Sequence, residues 1–136
     1  MIKVLIPSDF EFKIYEPILK NMYEESKDRI CDDNTFDFII NNTLYYAFIK
    51  EENVLGAIYF FDDEGKLFLN AYAGRKHLED NVECVKMSTK WFKCDIYAEA
   101  QNRASAFCLL RAGFKRIQGK LFIYEHKKRK EFYYDI

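Results

Sequence analysis

The chain has 136 residues, 49% of them apolar and 18% aromatic, with 13 Phe and 10 Tyr. That length suits one domain and that composition supplies a core, which excludes an intrinsically disordered chain. The 21 Lys and Arg nearly balance the 22 Asp and Glu, so no net field recommends a polyanionic partner.

Residues Ile2 to Ile6 alternate loosely before Pro7-Ser8-Asp9 stops them, the pattern of a short first strand. From Glu16 the period becomes helical. Pro17 fits a first turn, and Ile18, Leu19, Met22 and Tyr23 share one face until the pattern fades near Asp28 to Cys31. Thr35 can cap a second, short helix whose stripe is Phe36, Ile39 and Ile40 and whose end is Asn41-Asn42. Three strands follow: TLYYAFIK (Thr43 to Lys50), VLGAIYFF (Val54 to Phe61) and KLFLNAYA (Lys66 to Ala73). Their short polar connections predict antiparallel neighbours. Leu78, Val82, Val85, Thr89 and Phe92 then recur at helical spacing. The strand CDIYAEA comes next, then a helix within NRASAFCLLRAGF, then FKRIQ and LFIYEH as a hairpin about Gly119-Lys120.

The order β-α-α-β-β-β-α-β-α-β-β contains no repeat or linker. It predicts a single domain over residues 1–136, an α/β fold of the α+β kind with a mixed sheet. The strand-helix-strand passage from Lys66 to Ala98 requires a parallel pair at the middle of that sheet. Cys31, Cys84, Cys94 and Cys108 are scattered, without a CxxC pair or a His at ligand spacing. Reduced thiols in a core are expected, and no metal site. MIKVLIPSDF has too short an apolar run for a signal peptide, and no stretch approaches a membrane span. The expectation is a soluble cytoplasmic protein.

This element order, ending in NRASAFCLLRAGF, resembles the GNAT superfamily of N-acetyltransferases. The matching residues are Asn102, the small Ser105 three positions on, the apolar run from Ala106 to Leu110, and Gly113-Phe114, preceded by CDIYAEAQ as the fifth strand. Each also has an ordinary structural use: Asn caps a helix, Gly admits a left-handed turn at its end, and Phe plugs the core. The resemblance implies fourth and fifth strands that splay apart. It also implies acetyl-CoA as cosubstrate, its pantetheine arm along the edge of the fourth strand and its pyrophosphate at the following helix N-terminus. On that reading the cofactor-binding residues are Asn70, Ala71, Tyr72, Gly74, Arg75, Lys76, His77, Asn102 and Ser105.

NAYAGRKHLEDN departs from the family's pyrophosphate loop of Arg or Gln, two residues, Gly, one residue, and Gly or Ala. Counting from Arg75 puts Leu78 and Asp80 at the small positions, and counting from Ala73 puts Lys76 and Leu78 there. Glu79 and Asp80 in the first turn would repel phosphates, whereas Gly74, Arg75, Lys76 and His77 form a compact polar and basic cluster that can hold them through side chains. The family's proton-donating Tyr falls on Leu109, which has no proton to give. Glu99 and Tyr72 remain as candidate catalytic bases. The function implied is acetyl-CoA-dependent transfer to a primary amine of a small-molecule or protein acceptor. The alternative is a GNAT-fold binding or assembly module without the chemistry. Exposed aromatics would suit a homodimer interface. The tail HKKRKEFYY pairs cations with aromatics, but the near-neutral charge argues against nucleic acid.

Overall fold

The computed structural model describes residues 1–30, 32–74 and 77–126. The elements run β1 (Ile2–Leu5), α1 (Phe12–Ile30), α2 (Phe36–Asn42), β2 (Leu44–Lys50), β3 (Asn53–Asp63), β4 (Lys66–Ala73), α3 (Leu78–Thr89), β5 (Ile96–Glu99), α4 (Arg103–Arg111), β6 (Lys115–Gln118) and β7 (Leu121–Tyr124). The predicted order is therefore observed. The seven strands form one sheet in the order β1-β2-β3-β4-β5-β7-β6. Among the described residues only β4 and β5 pair in parallel, joined by the α3 crossover, and the other neighbours are antiparallel.

Strand alternation divides the core into two layers. On one face Phe48, Ile58, Phe60, Leu69, Ile96 and Phe122 meet α3 and α4 through Val82, Val85 and Leu109. On the other, Tyr45, Ala47, Tyr59 and Tyr72 meet α1 and α2 through Phe12, Leu19, Tyr23, Phe36 and Ile39.

Several element boundaries differ from expectation. Helix α1 begins at Phe12, so Pro17 stands in its second turn rather than its first. Pro17 and Lys13 are both exposed, so water can replace the bond that the proline cannot make to the Lys13 carbonyl. The buried face of α1 is Phe12, Leu19, Tyr23 and Ser26, while Ile18 is half exposed. Helix α3 stops at Thr89, and Phe92 packs on the core from beyond it. Strand β5 is limited to four residues, which leaves Cys94 exposed instead of in the core.

Helix α4 is closed at both ends by the quoted motif. Asn102 Oδ1 accepts from the Ser105 N–H at 2.9 Å, and Ser105 Oγ receives the Asn102 N–H at 3.2 Å, a reciprocal capping box. At the other end Gly113 adopts φ 104°, a conformation cheap only for glycine. That turn lets the Gly113 N–H reach the Leu110 carbonyl and the Phe114 N–H reach the Leu109 carbonyl, the two bonds of a Schellman ending. Phe114 and Leu109 are buried in the same cluster, the apolar contact that accompanies such an ending.

Candidate functional site

The parallel pairing of β4 with β5 covers only Leu67↔Ile96, Phe68↔Tyr97 and Leu69↔Ala98. Strand β4 nevertheless continues to Ala73, still paired with β3 through Gly56↔Ala73. The two central strands therefore part after Leu69. The Gly74 N–H bonds the Leu55 carbonyl at 3.1 Å across β3. By alternation Ala71 and Ala73 turn their backbone groups toward the side that β5 has left. Asn70 occupies one of these positions: its Oδ1 accepts the Ala71 N–H at 2.9 Å while its Nδ2 donates to Tyr59 Oη at 3.0 Å.

Gly56 makes the geometry of this edge available. A Cβ on it would lie 2.2 Å from the Tyr72 carbonyl oxygen and 2.7 Å from Ala73 Cα, so β3 could not approach the end of β4 with any other residue there.

The parting opens a cleft of about 740 Å³ through the sheet. Its floor and walls include Leu69, Ala71 and Ala73 of β4, Ala98 of β5, and Cys84, Val85, Cys108 and Leu109 of the α3/α4 layer. Asn70, Ala71, Tyr72, Gly74, Glu99, Asn102 and Ser105, all selected from the sequence, line it together. His77 holds the N-cap position of α3 without a side-chain capping bond. Arg75 and Lys76 lie outside the described residues, as do Cys31 and residues 127–136 of the basic-aromatic tail.

The chemistry of these residues differs from one to the next. The Tyr72 ring belongs to the α1/α2 layer and is 3% exposed. Its hydroxyl is 2.5 Å from the Tyr45 hydroxyl and donates to the Leu19 carbonyl at 3.2 Å. Burial pushes its pKa well above that of an ordinary phenol, which keeps it protonated and makes it no acceptor of a substrate proton. Glu99, at the C-terminal end of β5, is exposed and reaches the cleft at the fork. Cys108 packs against the α3/α4 core, as expected, and is half-buried where that core forms the cleft wall; burial raises its thiol pKa. Burial likewise takes the Cys84 thiol up to about 12.

The acids at the start of α3 are not equivalent. Asp80 pairs with Lys50 Nζ of β2 at 3.1 Å, which offsets its charge beside the helix N-terminus. Asn81 Nδ2 donates to the Gly74 carbonyl at 3.2 Å and ties the loop back onto the helix. Lys50 could not be singled out from the sequence, because 30 residues separate it from Asp80 and only the β2–β3–β4 register brings them together.

A second cavity of about 690 Å³ lies on the α1/α2 side. It shares Ile30, Leu69, Asn70, Glu99 and Gln101 with the first, so the two meet where β4 and β5 part. Of its aspartates, Asp62 reads in sequence as part of the turn after the third strand but lies in β3 opposite Leu67, while Asp32 and Asp33 lie in the α1–α2 connection.

No protein-family profile and no curated protein matches this chain. Solved structures do. A GNAT-family acetyltransferase from Bacillus anthracis superposes with a TM-score of 0.62 at 17% identity, covering 93% of this chain and 96% of that one. An N-acetyltransferase from Staphylococcus aureus Mu50 gives 0.65 at 12% identity, covering 92% and 97%. An aminoglycoside acetyltransferase solved with coenzyme A and kanamycin gives 0.63 at 10% identity, covering 96% and 98%. At these identities the likeness concerns architecture, and over nearly its whole length this chain has the fold of the GNAT acetyltransferases.

Proposed function

We propose that the protein is an acetyl-CoA-dependent N-acetyltransferase acting on a primary amine. The observation that carries this reading is the unpaired end of β4, with Ala71 and Ala73 facing an apolar cleft that passes through the sheet. An extended amide-bearing arm can add to such an edge as a strand would. Solved neighbours of the same fold bind coenzyme A. When bound, acetyl-CoA supplies a thioester whose carbonyl can be attacked by an amine.

In this reading Leu69 to Gly74 hold the pantetheine arm, and Asn70 must release the Ala71 N–H as it binds. Gly74, Arg75, Lys76 and His77 hold the phosphates through charge and hydrogen bonds, in place of the missing glycines. Asn102 and Ser105 are committed to capping α4, and neither capping bond uses the Asn102 amide Nδ2, which stays available to the arm. Glu99 accepts the proton of the attacking ammonium, directly or through water. The nitrogen then bonds the acyl carbon, the carbon–sulfur bond breaks, and the sulfur recovers a proton. Leu109 offers none. Cys108, adjacent in the same wall and protonated at neutral pH, can present an S–H toward the departing sulfur. Tyr72 keeps a structural role.

Leu109 favours a second reading, a binding or assembly module on this scaffold. Thermal unfolding with acetyl-CoA separates the two: at a hundredfold excess over its Kd, a bound ligand stabilises by about 2.7 kcal/mol. A melting curve unmoved at millimolar acetyl-CoA would refute the transferase. A shifted curve with no acetylation across an amine panel would leave the module.

A further inference from the structure

Resting on the transferase reading, we propose that the second cavity is the acceptor site and takes a compact polycationic amine carrying two or more ammonium groups. Four carboxylates line it, those of Asp32, Asp33, Asp62 and Glu99, and no Lys or Arg appears among its described lining residues. The net charge of the whole chain is only -1, so this is a local concentration of one sign within a nearly neutral molecule. Carboxylates on a concave wall backed by protein concentrate negative potential inside it.

The remaining walls suit a cation as well as the acids do. Phe38, Tyr59, Phe61 and Phe68 contribute rings, and Phe61 stacks on Phe68 with centroids 5.9 Å apart, so the aromatic wall is set by packing. Ring faces attract ammonium groups, more strongly as water is excluded. An anionic or zwitterionic acceptor meets repulsion here, and an uncharged one leaves the carboxylates unanswered.

Asp32 is held in place before any ligand arrives. It is 7% exposed, its Oδ2 accepts the Tyr59 hydroxyl, and its Oδ1 accepts the Asn34 N–H at 2.8 Å. Asp33 and Asp62 are exposed at the rim and available for the distal ammonium groups. Glu99 stands where the cavity joins the donor cleft. A polyamine anchored at its far end by the aspartates therefore presents its near amine to Glu99 and to the fork. A cavity of about 690 Å³ holds a small molecule, and a ligand with a single positive charge would leave most of the carboxylates unneutralised.

The test is calorimetric titration of spermidine, a linear triamine, into the full-length protein without coenzyme, at low and at high salt. Saturable binding is expected, weakened by salt and weakened about tenfold in the double variant Asp33→Asn/Asp62→Asn. n-Butylamine, with one ammonium group, should bind at least about tenfold more weakly than the triamine. No saturable binding of spermidine, salt-insensitive binding, equal affinity for butylamine, or equal affinity in the double variant would each overturn the proposal. The salt series on the unaltered protein decides the matter even if the variant folds poorly. Because no coenzyme is present, failure here is separate from failure of acetyl-CoA to shift the melting curve.

Discussion

Glu51 and Glu52 form the two-residue turn between β2 and β3, flanked by the pair Lys50↔Asn53, with φ values of 51° and 67°. Both central positions of such a turn require the left-handed region, which Asn and Gly enter readily and Glu does not. The neighbouring hairpin places Glu64 and Gly65 at φ 53° and 79°, with glycine at one of the two positions. Glu51→Asn with Glu52→Gly is expected to stabilise the fold by about 1 kcal/mol, read as a higher urea midpoint at unchanged slope. These turns were legible as turns, from polar residues between alternating runs, but not as strained ones. The fate of single side chains was legible to differing degrees. Asn102 and Gly113 carried their capping roles openly, since local spacing determines a helix end. Tyr72 did not, because nothing local reveals that its hydroxyl would meet Tyr45 and the Leu19 carbonyl.

At the scale of elements, those hydroxyls join α1 to the sheet. Tyr23, Tyr45, Tyr59 and Tyr72 come from α1, β2, β3 and β4, and burial raises the pKa of each above its ordinary value. Below pH 10 both folded and unfolded chains keep these phenols protonated, and they contribute no pH dependence. Above it the unfolded chain ionises while the folded one does not, so stability falls as pH rises. Alkaline denaturation starting near pH 10 is expected, at about 1.4 kcal/mol per pH unit for each phenol that stays protonated. A Tyr45→Phe/Tyr72→Phe variant should show a shallower decline in circular dichroism melts taken across that range. The β2–α3 contact is the other informative junction. Asp80→Asn removes the partner of Lys50 and one acid beside the start of α3, so coenzyme A should bind several-fold more tightly, with a steeper salt dependence, in a direct titration. Hydrophobic period located these elements well. It misjudged the start of α1, the length of β5 and the end of α3, because caps and tertiary packing decide the last turn.

For the whole molecule, the mixed sheet and its parallel centre follow from crossover length and turn length, and were legible from the order of elements alone; the division of the helices between two layers was not. The site was legible only in its backbone part: the residues of β4, the end of β5 and the cap of α4 do line one cleft. Its charged part was not. Asp32 and Asp33 sit in the α1–α2 connection and Asp62 near the end of β3, with α2 and β2 between them in the chain, and only the fold brings them to one cavity. The meeting of two cavities at Leu69, Asn70 and Glu99 has a kinetic consequence. On the proposed reading the donor takes the first cavity and the acceptor the second, so neither has to leave before the other arrives. Steady-state rates should then give intersecting double-reciprocal lines, the pattern of a ternary complex, whereas parallel lines would require an acylated protein between two half-reactions.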